Sequence, residues 1–483
     1  MESYAYDLLI GGAWRDAAST LSVENPATGE TVGHVASGDA ADAADAIDAA
    51  ADAAPSWRDT GPTEREAALR AVADAIEADD DLAALLAAET GKPLATAEGE
   101  VAETAAQFRF YAGVADKVRG DTIPTAPNRF VYTRRSPYGV TAHVVPWNYP
   151  LLLGTRGFAS ALATGNTLVV KPPSLAPLST MRVGETLADA FPDGVVNLVP
   201  GPGSEVGAEL AGNAGVDAIT FTGSTGVGRG VLKAAAEHIT PVDVELGGKA
   251  PAIVLPDADL ENAARGVVAG IFSNAGQNCV ATSRCLVHED VHDELVERVV
   301  EKTERITLGE GSDPETDMGP VISADAQDEV LGYIDSAREE GATLLTGGSV
   351  PDDPELADGH FVEPTVFDDV TPDMTIAREE IFGPVLGFVT VDSAEAAIEV
   401  ANDSTFALAA SLWTDSIDAT RLADRLDHGL VAVNSFPVSM PQSPWGGNKE
   451  SGIGREGGLE GVEAFTTVDS VVVEHDDIGE PYE

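Results

Sequence analysis

An α/β fold is predicted by three observations: the length of the chain, a regular alternation of helix and strand patterns through its middle, and polar or glycine residues where strands end. At 483 residues there is material for about three domain-sized units, well above the size at which a core is hard to build. From Pro150 onward the pattern reads helix to Ala163, strand 167–171, helix 179–190, strand 195–199, helix near 205–211 and strand 218–222. This is the βαβ rhythm of a parallel sheet. Ligands bind such sheets beyond the carboxyl ends of the strands, and two of these strands run into Lys171 and Gly223.

Ahead of this region, the Ala/Asp stretch 41–54 continues through Trp57 into a second helical segment near 64–77, read as two exposed helices. The helical pattern breaks at 124–128 and the chain turns extended over 130–145, which marks an internal boundary. Beyond the βαβ region a strand at 251–255 and a helix at 260–273 open a second α/β unit, which then delivers both cysteines. The Gly, Pro and Asp residues of 347–359 form a surface loop, and 470–474 reads as a closing strand. No internal repeat is present.

Composition narrows the function. There are 81 Asp and Glu against 28 Lys and Arg, a formal net charge of −53, which argues against nucleic acid as a partner. The carboxylates recur along the whole chain and so describe a solvated acidic surface. Such a surface repels itself, and screening shortens from about 8 Å at physiological salt to about 3 Å at 1 M; a salt-rich cytoplasm is the setting it fits. The first eleven residues carry Glu2 and Asp7 and lack the pattern of a secretory signal, and no apolar run reaches the roughly 18 to 20 residues of a membrane span. A cytoplasmic protein without a membrane partner is expected. With two cysteines, Cys279 and Cys285, a disulfide framework is excluded and no metal site is expected.

Cys279 sits in AGQNCVATSRC among small and polar residues, either a nucleophile within reach of a substrate or an inert core thiol, whereas Cys285 reads as structural. Glu245 lies between Val244 and Leu246, where burial would lift its pKa toward the working range of a base. Gly223, Gly226 and Gly228 follow a strand and open a helix, so they either cradle a phosphate or make a tight turn, and Gly201 and Gly203 carry the same ambiguity.

VVPWNYP at 144–150, FTGSTGVG at 221–228, ELGGK at 245–249, GQNC at 276–279 and EEIFGPV at 379–385 occur in one order. Together with GGNKESGIGREGG at 446–458 they resemble the aldehyde dehydrogenase superfamily, over roughly residues 10 to 473. The resemblance implies the aldehyde dehydrogenase fold: a Rossmann-like cofactor domain (1–116 and 137–247), an α/β catalytic domain (248–446) and a small β oligomerisation element (117–136 and 465–483). It implies Cys279, Glu245 and Asn148 as catalytic residues. It further implies Trp147, Lys171, Gly203, Gly223, Ser224, Glu380 and Phe382 as cofactor contacts, with NAD or NADP as cofactor and a homodimer or homotetramer as assembly. On this reading a Cys279 thiolate adds to an aldehyde, Asn148 stabilises the oxyanion, and Glu245 activates water to release an acid.

Two positions depart from many relatives. A Lys shortly after the PWN motif is Gly157 here, preceded by Arg156. Ser174 replaces a Glu that NAD-preferring relatives often carry, so use of NADP is expected, unless Ser174 only caps a helix starting near Leu175. Alternatives on the same scaffold are a coenzyme A-acylating enzyme, against which Glu245 argues, and a catalytically retired binding protein. The aldehyde itself is not legible, although Tyr149, Asn278, Val280 and Phe436 are candidates for the pocket wall.

Overall fold

The computed structural model describes residues 4–474, so residues 475–483 of the expected bridging element lie outside the described residues. Two large sheets organise the chain. The first has eight strands, and its five central strands, Val242–Glu245, Ala218–Thr222, Val140–Val144, Thr167–Lys171 and Val196–Leu198, run parallel in that spatial order. Among these five the chain starts at Val140–Val144, winds outward to Val196–Leu198, then returns to the other side of its starting strand at Ala218–Thr222. That reversal leaves a crevice between the carboxyl ends of Val140–Val144 and Ala218–Thr222, the usual ligand position in an open α/β sheet.

The Ala/Asp stretch forms the helix Ala40–Asp59 but is not simply exposed. Asp39 caps it, accepting from the N–H groups of Ala41 and Asp42, and Ala43, Ala46, Ile47 and Ala50 bury one face at helical spacing. The helix expected from residue 179 begins at Leu178 and is capped from elsewhere in the chain: Glu89 accepts from Leu178 N at 2.7 Å and Ser179 N at 2.9 Å. Ser174 therefore caps nothing. Near residues 205–211 a π-helical turn Gly203–Gly207 runs into a short helix Ala208–Gly212.

The second sheet has seven strands, in the order Thr343–Thr346, Thr365–Asp368, Val385–Val391, Arg284–His288, Pro251–Val254, Ala409–Trp413 and Leu430–Val433, all parallel except the first. Its Val, Ile, Leu and Phe side chains fill their own core, with Cys285 fully buried inside it. Residues 246–250 alone cross from Glu245, the last residue of a first-sheet strand, to Pro251, which opens a second-sheet strand. Residues near 452 return to the first sheet, where Gly452–Ile453 pairs with Val244 and Glu245. The closing strand is longer than expected, Thr466–Glu474, and pairs with Arg129–Pro137 over its whole length.

Candidate active site

Glu245 ends a strand of the first sheet, and Cys279 precedes a strand of the second, so the crossing at 246–250 brings base and thiol residues to one cleft. That crossing requires its two glycines. A Cβ on Gly247 would stand 2.3 Å from Glu380 Oε2, and one on Gly248 would stand 2.1 Å from the Cys279 carbonyl oxygen. The approach is used: Gly248 N donates to Glu380 Oε1 at 3.0 Å.

The loop before Cys279 is held in a left-handed course, with φ of 52° at Asn274, 54° at Ala275 and 70° at Gly276. Side chains offset the strain. Asn274 Nδ2 donates to the carbonyls of Asn148 and Gln277 at 3.3 and 3.2 Å, and Gln277 Oε1 accepts from Ile322 N at 2.8 Å. Gly276 is required because a Cβ there would meet the Gly383 carbonyl at 2.0 Å. The Cys279 N–H bonds to no other residue among those described, and the Asn148 amide spends one N–H on the Gln277 carbonyl at 3.1 Å, leaving its second free.

Two cavities meet here. One, of about 550 Å³, occupies the crevice of the first sheet and is lined by Trp147, Asn148, Lys171, Ser174, Gly223, Ser224, Glu245, Cys279, Glu380 and Phe382. The expected residues thus come together, with the exception of Gly203, which does not line it. Gly226 faces open space at the helix start, whereas Gly228 is needed for packing, since a Cβ there would stand 2.4 Å from the Leu246 side chain. Trp147 and Phe382 meet edge to face, ring centres 5.5 Å apart. The second cavity, of about 150 Å³, is lined by the four expected wall residues Tyr149, Asn278, Val280 and Phe436, and shares Leu153 and Cys279 with the first.

Electrostatics follow from burial. Both carboxylate oxygens of Glu245 are buried without a hydrogen-bond partner, and desolvation, reinforced by Glu456 and Asp243, lifts its pKa well above the carboxylate range. Desolvation and the Glu380 charge push the Cys279 thiol up to about 12. Glu380 itself is raised to about 7 by burial. Lys171 is lowered to about 8 by burial, and its ammonium donates to the Pro172 carbonyl at 3.1 Å and lies 3.5 Å from Ser174 Oγ.

Sequence reasoning missed the support beneath Asn148. Lys92 and Glu100, both buried, pair at 2.5 Å; Lys92 also donates to the Asn148 carbonyl at 2.8 Å, and Glu100 accepts from Leu151 N at 3.0 Å and Leu152 N at 3.2 Å. Their partners lie about 50 residues away along the chain, and no local pattern announces them. Gly157 has a packing reason: a Cβ there would meet His143 Nδ1 at 2.7 Å.

Residues 14–471 match the profile of the aldehyde dehydrogenase family. The chain belongs to the aldehyde dehydrogenase family. It is 44% identical over 466 residues to the hydroxyisobutyraldehyde dehydrogenase of Mycolicibacterium austroafricanum, covering 95% of this chain and 92% of that one. To the betaine aldehyde dehydrogenase of Bacillus subtilis (strain 168) it is 42% identical over 475 residues, 96% of each chain. A solved structure of betaine aldehyde dehydrogenase from Staphylococcus aureus in complex with NAD+ superposes with a TM-score of 0.97 at 38% identity, covering 99% of this chain and 96% of that one. As an aldehyde dehydrogenase the chain is an NAD(P)-dependent oxidoreductase acting on aldehydes. Among the described residues no helix is long and apolar enough to cross a membrane.

Proposed function

We propose that this enzyme oxidises an aldehyde to a carboxylic acid, with Cys279 as nucleophile, Asn148 as oxyanion donor and Glu245 as the base that activates water. The observation that carries the reading is the position of Cys279 on the wall shared by the two cavities, with Glu245 and Asn148 lining the larger. The Cys279 sulfur adds to the aldehyde carbon, and the Cys279 N–H and the free Asn148 amide N–H receive the oxyanion of the adduct. The larger cavity fits a nicotinamide dinucleotide, with Glu380 and Phe382 at one part and Lys171 and Ser174 at another. When bound, that cofactor supplies the hydride acceptor. A thioester then remains on Cys279, and Glu245 takes a proton from the water that hydrolyses it. The unpartnered Glu245 carboxylate favours water over coenzyme A as acceptor.

On the cofactor, NADP is used at least as well as NAD. Ser174 presents no carboxylate to a 2′-phosphate, lies beside the Lys171 ammonium and donates to the Gly201 carbonyl at 3.3 Å instead of capping a helix. The remaining parts of the reading are a cofactor domain of residues 1–116 and 137–247, a catalytic domain of 248–446, and a bridging element of 117–136 and 465–483. The described part of that element exposes Ile123, Phe130, Val468 and Val472, apolar surface that a second copy in a homodimer or homotetramer would cover. A salt-rich cytoplasm suits the net charge of −53.

The test compares Cys279→Ser with Cys285→Ser. A hydroxyl of far higher pKa cannot replace the thiol as nucleophile, so Cys279→Ser loses oxidation by about three orders of magnitude or more while keeping its fold. Cys285→Ser buries a hydroxyl at a cost of about 1 to 3 kcal/mol in stability but keeps most turnover below its melting temperature. Equal losses of activity in two folded variants would mean the nucleophile is misassigned.

A further inference from the structure

The smaller cavity has a mixed wall that carries two charged residues, Glu103 and Arg156. Arg156, on the helix Pro150–Thr164, lines it and is only 2% exposed. Its guanidinium lies 4.3 Å above the Trp445 ring, and one Nη donates to Ser439 Oγ at 3.1 Å. The other Nη is 3.8 Å from Glu456 Oε2, too long for a hydrogen bond, and Nε is buried with no partner. A guanidinium carries five N–H donors, and leaving them unmet in a dry site is costly. Nε is sealed off, so it is the Nη groups of Arg156, which lines the cavity, that an acceptor on the substrate would meet.

Charge and size narrow the acceptor. A cationic substrate would meet the guanidinium inside the cavity. An anionic one would meet the Glu103 carboxylate, which is exposed and lines the same cavity, while Glu456 already stands near Arg156 as counter-charge. At about 150 Å³ this cavity is much smaller than the dinucleotide crevice of about 550 Å³. Building on Cys279 as nucleophile, we infer that this site selects small, uncharged hydroxyaldehydes, with Arg156 donating to the substrate hydroxyl oxygen and the Ser439 hydroxyl available to it as a second partner.

Three pairs of aldehydes, each differing in one group, test this on the wild-type enzyme with both dinucleotides at molar KCl. Expected kcat/KM is about tenfold or more higher for 2-hydroxypropanal than for propanal, and about tenfold or more lower for betaine aldehyde than for its uncharged isostere 3,3-dimethylbutanal. Succinic semialdehyde should fall below 4-hydroxybutanal. In Arg156→Met the first ratio should shrink to about twofold, 2-hydroxypropanal oxidation falling further than propanal oxidation. Equal losses for both aldehydes would make Arg156 merely structural and overturn the inference, as would a wild type that prefers propanal, betaine aldehyde or the semialdehyde. Should Arg156→Met not fold, the wild-type ratios decide. Absence of turnover with every aldehyde would instead sink the nucleophile assignment, whereas propanal oxidation without hydroxyl preference sinks only the substrate class.

Discussion

Glu380 is held by the backbone of Gly248, whose N–H donates to Oε1 at 3.0 Å, and it reaches that donor only because Gly247 carries no side chain. Gly247→Ala puts a methyl group 2.3 Å from Glu380 Oε2. Either the carboxylate moves or the crossing between the sheets does, at a cost of about 1 to 3 kcal/mol. The expected result is a rise of about tenfold in the KM for the dinucleotide, with Gly226→Ala, which faces open space, close to wild type. Titration of dinucleotide binding by fluorescence checks it, and equal behaviour of the two variants would remove Glu380 from the cofactor contacts.

The pH dependence of turnover has a definite sign. Glu245 ionises well above the ordinary carboxylate range because it is buried beside Glu456 and Asp243, and only its ionised form can take a proton from water. Turnover should therefore climb as pH rises through neutrality and beyond. The raised thiol pKa of Cys279 acts in the same direction on the first step. Glu245→Gln separates the two: it should release at most one equivalent of reduced dinucleotide per site in a burst, with little turnover after it. A wild-type profile that falls over this range, or normal turnover in Glu245→Gln, contradicts the hydrolytic role.

Dinucleotide preference is testable at one residue. Ser174→Glu would place a carboxylate beside Lys171 and in the path of a 2′-phosphate. Its KM for NADP should rise about tenfold or more, since losing a hydrogen bond to a charged group costs about 1.5 to 3 kcal/mol, with a much smaller effect on NAD. Efficient use of NAD and almost none of NADP by the wild type would overturn this reading.

Salt should stabilise the protein. Screening of a −53 net charge tightens as the Debye length falls from about 10 Å at 0.1 M to about 3 Å at 1 M. Melting temperature and activity are expected to rise together with KCl over that range, and a melting temperature indifferent to KCl removes the salt-rich setting without touching the chemistry.

What could be read from sequence was what is local. ELGGK and GQNC each place a chemical group, the glycines that admit a close approach and the neighbouring turn within a few residues, so the pattern carries its own geometry. The βαβ alternation likewise reports periodicities of adjacent segments. The alternative that Ser174 caps a helix stayed open in the sequence because the true cap, Glu89, comes from a helix some 90 residues earlier. Lys92 and Glu100 beneath Asn148, and the meeting of Arg156 with Ser439, Trp445 and Glu456, are products of folding over 50 to nearly 300 residues, with nothing nearby to mark them. The Ala/Asp helix misled in the opposite direction: its alanines are small enough to bury against a sheet while looking like low-complexity surface.

The two cavities share only Leu153 and Cys279 among their lining residues. A substitution on the wall of one can thus alter what it accepts without touching the wall of the other. The enzyme is in this sense divided into two separately adjustable halves about a fixed sulfur. Drift in Phe436 can re-aim it toward a new aldehyde while the dinucleotide cleft stays intact, and drift at Ser174 can exchange one dinucleotide for another while the aldehyde pocket stays as it is.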